Sequence, residues 1–218
     1  MPAVPTATNP SGTTTVAPDT RSRIAPDTRS RILDIALDLF SEHGFDGTTL
    51  QQIADRLGFT KAALYYHFRS KEDLLQALIS PAMAELDALF DEYENEPDTS
   101  GERRRFLEDY LDYLLGHRRL IAYMSSDLAI LAHPVLSTGD AERRARLERR
   151  LAGDGIEFTD QVRVAMAFRG IGGAIAQYPD ADTAELRAAL LDAVRALMRA
   201  PRRRDPLAVP SAKGPPNA

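Results

Sequence analysis

Two helix starts stand eleven residues apart, at Thr49 and Thr60, with Gly58 between them. Thr49 and Gln52 have the spacing of a capping box: the hydroxyl accepts from the third helical N–H and the glutamine amide reaches back to the cap. Ile53, Ala54 and Leu57 then make one apolar face, and Gly58 stops the helix within about two turns. Phe59 can pack under the turn. Thr60 caps a second helix whose inward side chains are Leu64 and Phe68. Two short helices joined by a tight turn containing glycine have helix-turn-helix geometry. The second helix of such a pair enters a DNA major groove with its N-terminal end toward the bases.

If Leu64 and Phe68 point inward, then Lys61, Ala62, Tyr65 and Tyr66 share the outward arc. Exposed tyrosines suit a DNA face, because the phenol donates to a phosphate while the ring covers sugar and the thymine methyl. Lys61 can reach a base edge or a phosphate, and Ala62 permits close approach. Thr49 and Thr60 sit where helix N-termini offer free N–H groups and a positive dipole to phosphate. Ser70-Lys71-Glu72-Asp73 is a third capped start, with Lys71 placed as a phosphate clamp.

The remainder reads as helix. Ile32, Ile35, Ala36, Leu39 and Phe40 recur at helical spacing, Gly44 is a stop signal, and no β-type alternation of any length occurs. The expected helices are 28–43, 49–57, 60–66, 71–94, 101–115, 118–132, 141–152, 158–178 and 183–199, an all-α fold of about nine helices. Pro81 should kink the fourth. The expected organisation is a disordered arm over 1–27, a three-helix helix-turn-helix DNA-binding domain over 28–75, a helical ligand-binding and dimerisation domain over 76–200, and a disordered tail over 201–218. The arm carries APDTRSRI twice, at 17–24 and 25–32. This is either a neutral duplication or a way of presenting Arg21 and Arg23 to a minor groove.

Composition sets the limits. Cysteine is absent, which excludes disulfides and thiolate metal sites and favours a cytoplasmic location. No signal-peptide pattern or 20-residue apolar run is present, so no membrane partner is expected. Net charge is −5, so DNA affinity must come from local placement rather than a basic surface. His43, His67, His117 and His133 fit no metal-ligand spacing, and no phosphate loop or nucleophile elbow occurs, so neither an enzyme nor a cofactor is expected.

In the C-terminal half, Tyr110, Tyr113, Tyr123, Met124, Asp127, Met166, Phe168 and Gln177 are candidates for a small-molecule pocket. Residues of these types at helical spacing also build ordinary cores. Phe168, Ile171, Gly172 and Ile175, with Leu186, Leu190, Val194 and Leu197, form stripes on the last two helices. Those stripes can pair with a second copy in a four-helix dimer interface, or pack within the chain. The run Glu142–Arg150 reads as a solvated, ion-paired face.

Gly44-Phe45-Asp46-Gly47-Thr48-Thr49, Ile53-Ala54, Leu57-Gly58, Leu64-Tyr65-Tyr66-His67-Phe68 and Lys71-Glu72-Asp73-Leu74-Leu75 together closely resemble the tetracycline-repressor (TetR) family, over about residues 29–78. The resemblance implies a homodimeric transcription factor, usually a repressor released from a pseudo-palindromic operator by a small effector. It also implies DNA contacts from Thr49, Thr60, Lys61, Ala62, Tyr65, Tyr66, His67 and Lys71. Relatives often carry glycine or proline at the position of Ala62, a departure that touches base preference. The alternative is a helical small-molecule-binding dimer with no DNA role.

Overall fold

A computed structural model describes residues 28–127, 130, 133–137, 139–153 and 157–199. The expected N-terminal arm and C-terminal tail, with the duplicated APDTRSRI and Arg202–Arg204, lie outside the described residues, as do Leu128 and Leu131. The described residues form ten helices and no strand. They are α1 (Thr28–Gly47), α2 (Leu50–Leu57), α3 (Lys61–His67), α4 (Lys71–Tyr93), α5 (Ser100–Gly116), α6 (Arg118–Ser126), α7 (Pro134–Ser137), α8 (Asp140–Ala152), α9 (Phe158–Gln177) and α10 (Thr183–Arg199).

The stop signals act as glycine chemistry requires. Gly44 breaks α1 with φ 74° and ψ 166°, and Gly58 ends α2 in the left-handed region at φ 69°, where a Cβ is strained. Nothing lies within 4 Å of the Cβ that Gly58 lacks. Gly58→Ala therefore tests backbone strain alone. A loss of about 1–2 kcal/mol in denaturant unfolding is expected, with the midpoint lowered and the slope unchanged.

Two differences from the expected helices have visible causes. The helix expected over 118–132 ends at Ser126, because Asp127 is extended (φ −104°, ψ 98°), and α7 is a separate short element. Asp127 leaves the helix to accept a hydrogen bond from the Phe45 N–H at 3.0 Å. In α4 the chain stays helical through Pro81 from Lys71 to Tyr93.

Apolar side chains gather in two clusters. One joins α1, α2, α3 and the first half of α4 to Leu120 and Tyr123 of α6, Ile130 and Leu136. The other joins the second half of α4 to α5, α8, α9, α10 and Ile121 of α6. Two elements thus serve both clusters, α4 end to end and α6 by opposite faces. Ile79 and Ala82 belong to the first cluster, so its packing extends along α4 past residue 75. Arg144 pairs along the exposed face of α8 with Asp140 at 2.6 Å, whereas Arg143 and Arg146 turn to α4 and its C-terminal cap. Arg143 grips Asp87 through two bonds (2.8 and 2.7 Å), and Arg146 reaches Asp91 and Glu94 while only 12% exposed. Arg143 and Arg146 thus clamp α8 to α4.

Candidate nucleic-acid interface and effector cavity

The three N-terminal caps form as their spacing requires. Thr49 Oγ1 accepts from Gln52 N at 3.2 Å while Gln52 Oε1 accepts from Thr49 N at 2.7 Å. Thr60 Oγ1 accepts from Ala63 N (3.2 Å) and Ser70 Oγ from Asp73 N (3.1 Å). Beneath them Ile53, Ala54 and Leu64 are fully buried and Phe68 nearly so. Burying Leu64 and Phe68 turns the other side of α3 outward. Tyr66 is 88% exposed and Tyr65 43%, and Lys61 and Ala62 are exposed beside them. Lys61 Nζ lies 5.7 Å from the centre of the Tyr65 ring. His67 is half-buried and meets Tyr66 edge-on at 5.3 Å, which fixes the orientation of the more exposed ring.

Lys71 has an intramolecular partner as well as a free side. Its Nζ donates to Phe45 O at 2.6 Å and lies 4.3 Å from the Phe45 ring centre. The Phe45 peptide is thus held on both sides, its carbonyl by Lys71 and its N–H by Asp127. Thr48, almost fully buried, donates to Leu39 O and Gly44 O, so the turn leading into α2 is fixed from within. Arg119 on α6 pairs with Asp34 and Asp38 of α1 (3.2 and 2.6 Å), and Tyr123 stacks on Phe40 at 5.9 Å. Arg119 is a positioning residue that the sequence pattern does not single out, because its partners on α1 lie 85 and 81 positions away.

A cavity of about 270 Å³ lies between α4, α5, α6, α8 and α9. Of the eight pocket candidates it brings together four: Tyr110, Tyr113, Met124 and Phe168. The other four are elsewhere. Tyr123 is buried in the N-terminal cluster, where burial and the Asp127 carboxylate hold its hydroxyl above the ordinary phenol range. Asp127 is engaged with Phe45. Met166 is 59% exposed, and Gln177 is exposed at the end of α9. Met83, Leu86, Phe90 and Arg143 also line the cavity. Met83, Leu86 and Phe90 form one stripe on α4, and spacing alone does not say which neighbour such a stripe faces. Arg143 reaches the lining with its charge already matched: its hydrogen bonds hold the Asp87 carboxyl below the usual carboxylate range.

The stripes expected at a dimer interface are corrected by burial. Ile171, Ile175, Leu186, Leu190 and Val194 are 0–7% exposed inside a single subunit, and Leu197 packs against the same cluster. Phe168 lines the cavity mouth. A Cβ at Gly172 would stand 2.5 Å from Ser125 Oγ, so this glycine admits α6 of its own chain. The apolar surface left on α9 lies on the opposite side: Phe158 (78% exposed), Val162 and Met166, continued by Gly170 and Gly173, whose absent Cβ atoms would meet nothing. Ala189, Ala193 and Ala196 give α10 an exposed face of small residues.

Among the described residues no helix is long and apolar enough to cross a membrane, and no cluster of His, Asp or Glu could hold a metal ion. Residues 32–78 match the family model for bacterial regulatory proteins of the tetR family. Over 54 residues the chain is 48% identical to the tetracycline repressor protein class A from transposon 1721 of Escherichia coli, covering 25% of each protein. Over 45 residues it is 53% identical to the biofilm operon icaADBC HTH-type negative transcriptional regulator IcaR of Staphylococcus aureus, covering 21% of this chain and 24% of IcaR. The chain thus matches about a quarter of the length of these curated relatives. The fold extends further: a TetR-family transcriptional regulator from Marinobacter aquaeolei superposes with a TM-score of 0.59 at 24% identity, over 78% of this chain and 89% of that one.

Proposed function

From a chain that belongs, through residues 32–78, to the tetR family of bacterial regulatory proteins, we propose a homodimeric repressor that binds a pseudo-palindromic operator through α3 and is released by a small effector. The observation that carries this is the outward pair Tyr65 and Tyr66, raised on a buried Leu64–Phe68 base between capped helix starts. Tyr65, Tyr66, Lys61 and Ala62 face the major groove. Thr49, Thr60 and Lys71 meet phosphates through helix N-termini and one free ammonium face. His67 orients Tyr66. An acidic protein can bind DNA this way because capped helix ends and a few placed donors do not need a basic domain.

The dimer forms through the outer faces of α9 and α10, the first exposing Phe158, Val162 and Met166 with Gly170 and Gly173, the second Ala189, Ala193 and Ala196. Small residues let helices of two subunits approach closely, and the apolar ones supply buried area. Met166→Glu places a charge in that contact. The expected result in sedimentation velocity is a shift from dimer to monomer, with helical content retained because Met166 is exposed in the subunit. A dimer of undiminished stability would rule out this face.

Effector and DNA compete through α6. Its Ile121 and Met124 line the cavity, while Leu120, Tyr123 and Arg119 hold α1, and Asp127 at its end holds Phe45. An effector that favours one position of α6 thereby favours one placement of the α3 pair and disfavours another. The test of the whole reading is a gel shift on an operator selected from genomic DNA by the purified protein. A discrete complex that weakens steeply with salt supports it. Absence of any selected sequence would leave the alternative, a helical ligand-binding dimer without a DNA role.

A further inference from the structure

Resting on the reading of this cavity as the effector site, the chemistry of its wall narrows what the effector can be. Tyr110 stacks with Tyr113 at 6.3 Å and with Phe168 at 6.5 Å, each at 27° between planes. All three line the cavity. Near-parallel rings favour a flat ligand lying in offset stacking against them. Phe168 is 42% exposed at the mouth, an apolar surface that such a ligand would cover. Met83 and Met124 add side chains that adapt to a guest's outline, and Asp140, Arg143, Arg144, Glu148 and Arg169 make one part of the lining charged.

The stacked rings also bring hydroxyls to the cavity. Tyr110 is 2% exposed; its surroundings act on its phenol through burial and the neighbouring Tyr113, with no hydrogen bond among the causes, whereas the Tyr113 hydroxyl donates to Ala82 O at 2.9 Å. Burial holds the Tyr110 phenol far above its ordinary range, so it stays protonated and acts as a donor. Size sets the remaining limit. A dry cavity of about 150 Å³ holds benzene, so about 270 Å³ holds two fused rings with a small substituent.

We propose that the effector is a planar aromatic compound of about two fused rings with a hydrogen-bond-accepting oxygen at its edge. The rings stack on Tyr110, Tyr113 and Phe168, and the oxygen accepts from the Tyr110 hydroxyl.

The test uses three probes titrated into the full chain by calorimetry: 2-acetylnaphthalene (rings and acceptor), 2-ethylnaphthalene (rings only) and 2-decanone (acceptor only). The first is expected to bind at least about tenfold tighter than either of the others. Tyr110→Phe should weaken 2-acetylnaphthalene about tenfold and leave 2-ethylnaphthalene unchanged, a contrast that a general loss of structure cannot produce. Equal or tighter binding of 2-decanone, equal weakening of both naphthalenes in Tyr110→Phe, or no binding of 2-acetylnaphthalene would each overturn the proposal. Operator retention measured alongside separates the two readings. Tyr110-dependent binding that leaves the DNA complex intact upholds the ligand chemistry and refutes effector-driven release.

Discussion

Tyr66→Ala is expected to weaken operator binding about 100-fold while leaving the melting temperature within about a degree of the parent. The side chain is 88% exposed and its ring meets that of His67 edge-on, so its removal takes little from the folded subunit, in line with surface substitutions that stay within about 0.5 kcal/mol. In the complex a ring and hydroxyl at a groove edge are worth about 1–3 kcal/mol, and in a two-fold dimer the deficit is felt at both half-sites. Fluorescence anisotropy at fixed salt measures the effect. Tyr66→Phe should recover the part due to the ring. Lys71→Ala is a less clean probe, since its ammonium also holds Phe45 O; its signature is a shallower dependence of affinity on salt, by about 0.9 for each phosphate no longer neutralised.

Phe40→Ala is expected to cost about 3–5 kcal/mol of stability, the usual range for a buried phenylalanine. Phe40 is 1% exposed and stands between Phe45 at 5.4 Å and Tyr123 at 5.9 Å. It therefore joins the turn before α2 to the helix that borders the cavity. Truncation leaves a void at that joint, and urea unfolding measures the destabilisation. The affinity for effector should change far less than the stability, because Phe40 does not line the cavity. If the variant were as stable as the parent, the shared packing of α1 and α6 would not be what couples the two halves.

The N-terminal motif was readable in the sequence because its information is local. Thr49–Gln52, Gly58, Thr60 and Ser70 each act within one turn of their own position, and the outward arc of α3 follows once Leu64 and Phe68 are placed inside. The C-terminal half was readable only as helix. The stripe Leu186, Leu190, Val194 was visible by periodicity, but periodicity cannot say which neighbour covers it, and it packs within its own subunit. Asp127 stands in a helical pattern by sequence, yet it is drawn out of α6 by a peptide N–H 82 positions away. The cavity draws side chains from separate helices, so only half of its expected members were found. The residues that were missed carry long-range partners, and no spacing rule reports those.

Methylation interference on the selected operator examines the orientation of α3 most directly. N7-methylguanine lies in the major groove, where the Tyr65–Tyr66 face and Lys61 are placed. The expected pattern is loss of binding when guanines are methylated in two symmetry-related half-sites, centred about 34–36 Å apart or a multiple of that distance. Interference confined to minor-groove adenines, or none at all on a DNA that the protein still retains, would contradict it.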